Sequence, residues 1–290
     1  MNDYPIHVKD LHIRDPFVLP IVQEKTYYMY ASGRAEGGYG CKASMSKDLV
    51  NWSKPVTVFN PPAEYKDCNA YWAPEVHEYK GKYYLFMTLK APRKYRGTHI
   101  FVADKPTGPF VPTSKTAATP AHWECLDGTL FVSDEGRPYI VFCHEWCQTK
   151  DGRMCYAPLA PDFTSFTDAP TTLFTATGAM EGAGIVTDGP YLYRSPKKGA
   201  LYMIWSNTVK RSDKKDPDYV VFVRTSLSGK IAGPWSKDEL LFGQDGGHGM
   251  IFKTFDGRLM LTLHQPNNTP NERMALFEVE DTGETLRIVF

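Results

Sequence analysis

The sequence lacks an excess of charge of either sign and a long apolar run. Its 33 lysine and arginine residues balance 33 aspartate and glutamate residues, so the net charge is zero. Proteins that bind nucleic acid or an anionic membrane usually carry a basic excess, so neither partner is expected. No run of about 18 apolar residues is present, and no membrane helix is expected. A neutral small molecule such as a sugar agrees with this balance.

Cysteine is also sparse, with six residues in 290, which is too few for a disulfide scaffold. Cys143 and Cys147 flank a strand-like segment that is poor geometry for a zinc site. We expect buried thiols, which weakly favours a reducing compartment. The N-terminus is polar and lacks a charged-then-apolar leader. A cytoplasmic location is therefore expected, or an exported one if a leader has been removed.

What the sequence has is a repeat of about 58 residues that occurs five times. In each copy an acidic or polar residue precedes a small residue or proline, an apolar strand, a turn and a second, more hydrophobic strand. The copies begin around Asp15, Glu75, Asp127, Asp188 and His248. Five such units without a long amphipathic helix predict an all-β fold, a five-bladed β-propeller that forms a single domain over residues 1–290.

These five residues are expected to converge, because the first strand of each propeller blade lines the central channel. Gathering like charges is costly and shifts their pKa values, so it is found mainly where it serves chemistry. Asp-Pro and Asp-Gly are also ordinary turn dipeptides, but three of them at equivalent repeat positions favour a chemical role. An inverting glycosidase needs an acid and a base about 6.5–9.5 Å apart, a separation that different blades can supply.

At these positions the chain resembles glycoside hydrolase family 43, the propeller family of arabinofuranosidases, xylosidases and arabinanases. The resemblance covers essentially the whole chain. Its motifs are Arg14-Asp15-Pro16, Trp72-Ala73-Pro74-Glu75-Val76, Leu126-Asp127-Gly128-Thr129, Asp188-Gly189-Pro190 and Gly247-His248-Gly249. It implies an inverting enzyme that removes α-L-arabinofuranosyl or β-D-xylosyl residues from plant-type polysaccharides.

The resemblance also implies residue roles. Asp15 would be the general base and Asp127 the modulator of the acid's pKa. His248 would lie on the channel axis, where family members often hold a calcium ion or ordered water; no organic cofactor is expected. Without the resemblance, a histidine that caps a tight glycine-rich turn is the simpler interpretation of His248.

The general acid is where the chain departs from the family pattern, which usually has glutamate before Gly-Pro. Here Asp188 holds that place, with a side chain one methylene shorter. Three interpretations remain open: Asp188 is the acid, Glu181 has taken the role, or the protein binds sugar without cleaving it. Glu145 is a further candidate carboxylate, although a surface loop pair explains it equally well.

Candidate substrate contacts come from both the inner and the second strands. Two tryptophans could stack on sugar rings, and four polar residues could contact hydroxyls. These candidates are Trp72, Trp146, Glu75, Glu145, His264 and Gln265. Core packing is the alternative explanation for the aromatic ones. Other activities on the same fold remain open: an endo-xylanase or arabinanase, a galactofuranosidase, or a non-catalytic carbohydrate-binding propeller.

Overall fold

The computed structural model describes residues 3–32 and 40–289, and their strands form five antiparallel sheets. The strands of the first sheet are β1 (Ile6–His7), β2 (Arg14–Ile21), β3 (Thr26–Ser32), β4 (Cys41–Ser46), β5 (Asn51–Trp52) and β6 (Val56–Phe59). The strands of the second sheet are β7 (Asn69–Tyr79), β8 (Lys82–Lys90), β9 (Arg96–Ala103) and β10 (Val111–Pro112).

The other three sheets have four strands each in simple up-and-down order. The third contains β11 (Cys125–Val132), β12 (Pro138–His144), β13 (Arg153–Pro158) and β14 (Thr171–Thr175). The fourth contains β15 (Asp188–Arg194), β16 (Leu201–Val209), β17 (Asp218–Ser226) and β18 (Glu239–Phe242). The fifth contains β19 (Gly247–Lys253), β20 (Leu259–Gln265), β21 (Arg273–Asp281) and β22 (Leu286–Ile288).

Helical structure among the described residues is limited to single turns. They are two 3-10 turns, Val8–Asp10 and Ala63–Tyr65, and the short helix α1 (Trp146–Thr149). None of these helices is long and apolar enough to cross a membrane.

The five sheets close into a ring through their first strands. β2 contacts β7 on one side and β19 on the other, and β11 and β15 complete the circle. An antiparallel bridge between His12 and Arg273 ties the N-terminal segment to the last sheet. The predicted five-bladed β-propeller is therefore confirmed, with one sheet per repeat.

The second strand of each blade is apolar because neighbouring blades cover both of its faces. In β16, eight of nine residues are buried. Trp205 and Tyr202 on this strand are fully buried and face different apolar clusters. Each such side chain contributes about 1.5–3 kcal/mol through removal from water. This packing between blades holds the first strands in place around the channel.

Every first strand carries a β-bulge near its start. In each bulge one residue has positive φ: Asp15 (53°), Ala73 (46°), Asp127 (53°), Gly189 (48°) and His248 (51°). Such a backbone costs a non-glycine residue about 1–3 kcal/mol, and strain of this kind gathers at functional sites. In three of the blades the bulge residue, Asp15, Asp127 or His248, lines the pocket at the channel mouth.

The bulges correct the equivalence between repeats that the sequence suggested. The true counterparts of Asp15 and Asp127 are Ala73 and Gly189, so Glu75 follows its bulge residue by two positions and Asp188 precedes its own by one. The acidic residues that begin the repeats in the sequence therefore lie at three different positions relative to the bulge of their strand.

The expectation that the cysteine thiols are buried is wrong for one residue. All six are free, and five are buried as expected, but Cys147 is exposed on α1. It lies outside β12 because that strand ends at His144.

Candidate active site at the channel mouth

A pocket of about 1100 Å³ opens where the five bulges meet. This volume is slightly above the range of about 300–1000 Å³ that is usual for small-molecule sites. Its floor contains the bulge residues Asp15, Asp127 and His248, and its inner wall contains residues that precede the bulges, namely Arg14, Trp72, Leu126 and Asp188. Taken together, these residues come from the first strands of all five blades.

Asp15 is buried and surrounded by positively polarised groups. Its Oδ1 lies 3.2 Å from His264 Nδ1, 3.4 Å from His248 Nδ1 and 3.8 Å from Arg14 Nε. Burial acts to raise the pKa of Asp15, but His248 and His264 outweigh it and hold that pKa below its usual range. Asp15 is therefore ionised near neutral pH.

His264 supports Asp15 from inside the protein. The imidazole is fully buried, its Nε2 lies 3.2 Å from Asn267 Oδ1, and its ring stacks on Tyr219. A fully buried side chain cannot touch a ligand, so His264 does not provide the expected sugar contact and lies against Asp15 instead. Gln265 also lies outside the pocket lining, and its Nε2 donates to the backbone oxygen of Gln244.

Asp127 is buried and held by two hydrogen bonds. Its backbone N–H donates to Thr88 Oγ1 at 2.9 Å, and its Oδ2 accepts the N–H of Gly189 at 3.0 Å. Burial, followed by the charge of Asp15, raises the pKa of Asp127 well above its usual value. The bond to Gly189 fixes the backbone that carries Asp188. Asp127 is thus placed to orient that neighbour.

Gly128 explains the Asp-Gly pair at this bulge. A Cβ at this position would lie 2.7 Å from both Thr98 and Ile140, so a larger residue would displace the strand.

Asp188 lines the pocket and is half-buried as a residue. The buried Tyr219 donates its hydroxyl to Asp188 Oδ2 at 3.0 Å. Burial raises the pKa of Asp188 to about 7, and the charge of Asp127 adds to the rise, while the bond from Tyr219 opposes it. A carboxyl with such a pKa retains a large protonated fraction near neutral pH.

Tyr219 lies on β17, outside the repeat motif, and sequence reasoning missed it. The tyrosine reaches Asp188 because Gly247 on the adjacent inner strand has no side chain. A Cβ at Gly247 would lie 2.4 Å from Tyr219 Cε1. In the sequence, only Gly247, beside His248, could have indicated that an aromatic ring such as that of Tyr219 packs against this strand.

His248 stands between two carboxylates. Its Nδ1 lies 3.4 Å from Asp15 Oδ1 and 3.7 Å from Asp127 Oδ2, and its backbone N–H donates to Ser206 Oγ at 2.8 Å. Calcium in proteins takes six to eight oxygen ligands. Within residues 3–32 and 40–289 no group of three or more His, Cys, Asp or Glu side chains is arranged to hold a metal. Among these described residues the side chains form no calcium cage, and calcium on the channel axis stays a prediction.

The remaining glutamates differ in their positions. Glu181 is exposed and lies outside the pocket lining, contrary to its expected role as an alternative acid. Glu75 is buried outside the lining, 2.8 Å from His77 Nε2, and not at the expected substrate contact. Glu145 does line the pocket and forms an ion pair with Arg96. Burial raises the pKa of Glu145, while Arg96 acts to lower it.

The two candidate stacking residues lie where the sequence suggested. Trp72 and Trp146 line the pocket and are 45% and 44% exposed, whereas Trp52 and Trp205 are fully buried. Arg96, which the sequence gave no reason to select, packs its guanidinium over Trp72 at 5.5 Å from the ring centroid.

Comparison with known proteins assigns the class of protein. The sequence model of Glycosyl hydrolases family 43 matches residues 4–286. The match indicates that this propeller is a glycosidase with a carbohydrate substrate. The chain belongs to glycosyl hydrolase family 43.

Among solved structures, an endo-arabinase from Bacteroides thetaiotaomicron VPI-5482 is similar, with 36% identity and a TM-score of 0.88. The match covers 97% of this chain and 99% of that one. The extracellular exo-α-(1→5)-L-arabinofuranosidase of Cellvibrio japonicus (strain Ueda107) is 22% identical over 95% of this chain and 86% of its own length. A xylosidase/arabinosidase 43A of Humicola insolens is 32% identical over 75 residues, and that match spans only 22% of its length.

Proposed function

We propose that this protein is an inverting glycoside hydrolase that cleaves α-L-arabinofuranosyl bonds. The observation that carries the proposal is that two carboxyls in one pocket have opposite surroundings. Asp15 faces His248, His264 and Arg14, whereas Asp188 forms no ion pair among the described residues and lies near Asp127. Asp15 is held ionised, whereas the pKa of Asp188 is raised to about 7. Pairs of carboxyls driven apart in this way supply the base and the acid of glycoside hydrolysis.

In the proposed reaction, protonated Asp188 gives its proton to the glycosidic oxygen as the bond from that oxygen to the anomeric carbon breaks. Asp15 takes a proton from a water molecule, whose oxygen attacks the anomeric carbon from the opposite face. The sugar is released with inverted configuration, and each carboxyl ends in the protonation state of the other. Proton exchange with solvent resets both groups.

Asp127 and His248 tune these two groups in the proposal. Asp127 accepts the Gly189 N–H and repels a second negative charge on Asp188, which keeps a proton in the site. His248 reaches toward both Asp15 and Asp127 and stabilises the ionised base. Removal of either residue should disturb the pKa of a neighbour as well as its position.

The sugar preference rests on the relatives and on the size of the pocket. The names of two relatives with near-full coverage indicate arabinan, one as an endo-acting and one as an exo-acting enzyme. The volume of about 1100 Å³ favours a chain of several sugars over a single terminal unit. Removal of β-D-xylosyl residues is the second candidate, supported by the partial match to a xylosidase/arabinosidase.

Product stereochemistry tests the proposal directly. We expect proton NMR of the enzyme with a linear α-1,5-arabino-oligosaccharide to show the β-anomer of the released sugar first, followed by slow mutarotation to the mixture. First appearance of the α-anomer would show a retaining enzyme and contradict the roles given to Asp15 and Asp188. Binding without any release of sugar would identify a non-catalytic carbohydrate-binding propeller.

The pH dependence provides a second expected result. Asp188 acts in its protonated form, so kcat/KM should fall as the pH rises through about 7. The hydrogen bond from Tyr219 stabilises the ionised form, so Tyr219→Phe should move this alkaline limb to higher pH. Full pH–rate profiles of the wild type and the variant measure the shift.

Tyr202→Phe is the matched control for this experiment. Tyr202 is also buried and bonds to a carboxylate, that of Asp281, but it lies outside the pocket lining. Its loss should leave the alkaline limb in place. An alkaline limb that stays fixed in Tyr219→Phe as well would show that Asp188 does not control it.

A further inference from the structure

Arg96 occupies an unusual position at the rim of the pocket between the second and third blades. It is the first residue of β9 and lines the pocket beside Trp72, Glu145 and Trp146. Its side chain is only 17% exposed. Burial of a charged guanidinium costs free energy, and so does exposure of large aromatic rings to water. The occurrence of both at one place therefore requires a physical explanation.

Two carboxylates fix the guanidinium in one orientation. Glu124 Oε2 accepts from the Arg96 backbone N–H at 2.9 Å and from Nε at 3.2 Å. Glu145 pairs with Nη2, and Cys147 Sγ lies 3.7 Å from the same nitrogen. No hydrogen bond between the residues that the structure describes uses Nη1. Two nitrogens of the guanidinium are thus held by these partners, while Nη1 keeps its donors for a further hydrogen bond.

The arginine also orders the larger aromatic surface. Its guanidinium carbon lies 5.5 Å from the Trp72 ring centroid, a cation–π geometry that restrains the indole. Trp72 immediately precedes the bulge in β7, the position that Asp188 holds in β15. Trp72 and Asp188 line the same pocket, so a chain of several sugars can contact both residues.

The charge around Arg96 indicates what kind of sugar unit binds. Arg96 and Lys90 face Glu124 and Glu145, so positive and negative charges cancel. A site for an acidic sugar would keep a positive excess. The group combines donors, acceptors and an aromatic face without net charge, which suits a neutral sugar that is stacked on one face and hydrogen-bonded at its edge.

We propose that Arg96, clamped by Glu124 and Glu145 against Trp72, builds a second sugar subsite that binds a neutral unit adjacent to the one being cleaved. The inference rests on the proposed function, since it assumes a glycan chain that crosses the pocket. Arg96 acts both as a contact for hydroxyls and as a positioning residue for Trp72. The subsite makes affinity depend on chain length.

The test compares substrates that do and do not reach the subsite. We expect Arg96→Gln to raise KM for arabinohexaose about tenfold more than KM for a chromogenic α-L-arabinofuranoside, with kcat affected much less. About tenfold corresponds to the loss of one hydrogen bond to a charged group. Trp146→Ala removes an exposed ring without disturbing the ion pairs and should shift the same ratio in the same direction.

Arg137→Gln is the matched control. Arg137 also packs over an aromatic ring, that of Tyr139 at 5.4 Å, but it is exposed and outside the pocket lining. Its ratio of KM values should equal that of the wild type. An equal loss on both substrates in Arg96→Gln and in Trp146→Ala would show a structural role only, and an unchanged ratio would remove the subsite; either result overturns the inference.

Calorimetric titration separates failure of the inference from failure of the proposed function. If the wild type hydrolyses none of these substrates, the proposed function fails, but binding of arabinohexaose can still be measured. Binding that is about tenfold weaker in Arg96→Gln than in the wild type would then support the subsite. Equal binding by both proteins, or no binding by either, would overturn it.

Discussion

Asp15→Asn is expected to lower kcat by about 10²–10⁴-fold, the range that general-base catalysis contributes. The substitution keeps the shape of the side chain but removes its ability to accept a proton from water. It also leaves His248 and His264, which lie 3.4 Å and 3.2 Å from Oδ1, without their anionic partner. Because water must be activated whatever group leaves, the loss should be equally large for an aryl arabinofuranoside and for an arabino-oligosaccharide.

Steady-state kinetics on both substrates measure this effect, with Asp162→Asn as the control. Asp162 is an exposed aspartate in a turn outside the pocket lining, and its replacement should leave kcat within about twofold, as is usual for surface changes. If the Asp15→Asn variant retained a tenth or more of the wild-type kcat, this result would contradict the role of Asp15 as the general base.

Asp188→Asn should produce a loss that depends on the leaving group. Asparagine cannot donate a proton, so cleavage of an arabino-oligosaccharide, whose alkoxide is a poor leaving group, should slow by about 10²–10⁴-fold. An aryl arabinofuranoside releases a stable phenolate that needs little protonation, so its hydrolysis should slow much less. The alkaline limb of the pH profile should also disappear for the aryl substrate.

Two further variants sharpen this prediction. Glu181→Gln should behave as the wild type, because Glu181 is exposed and outside the pocket lining. Asp188→Glu keeps an ionisable acid and should retain more activity on oligosaccharides than Asp188→Asn. Full oligosaccharide activity in Asp188→Asn together with its loss in Glu145→Gln would assign the acid role to Glu145 instead.

The two predictions separate acid from base without any assumption about the exact sugar. A base variant fails on every substrate, whereas an acid variant fails mainly where the leaving group needs a proton. Structural damage to the pocket gives neither pattern consistently, because it would reduce binding of all substrates together. The comparison is therefore informative even if β-D-xylosides replace arabinofuranosides as the preferred substrate.

The repeat in the sequence was sufficient to predict the propeller. A period near 58 residues, with an apolar second strand in each copy, fixes the number of blades because each blade needs its neighbours to bury both faces. It also placed Asp15, Asp127, Asp188 and His248 at one channel mouth, where the structure locates them. Their chemical roles remain predictions.

The repeat did not show which residues occupy the same structural position in each of the five blades. The sequence was aligned on acidic side chains, whereas the blades are aligned by a backbone feature, the positive-φ residue of each bulge. Ala73 and Gly189 occupy two of these positions without any acidic group. Conformation at a bulge depends on pairing with the neighbouring strand, and no residue type marks it uniquely.

The sequence by itself thus determined the fold, the family resemblance and three carboxylates of the pocket, Asp15, Asp127 and Asp188, since all of these follow from a local pattern repeated five times. Only the tertiary structure decided that Tyr219 holds Asp188, that His264 lies buried behind Asp15, and that Glu181 stays outside the pocket. The first relationship joins two strands of the fourth blade that are not hydrogen-bonded to each other, and the second joins the fifth blade to the first. They depend on which side chains the closed ring brings within hydrogen-bond distance, and on how burial there displaces each pKa.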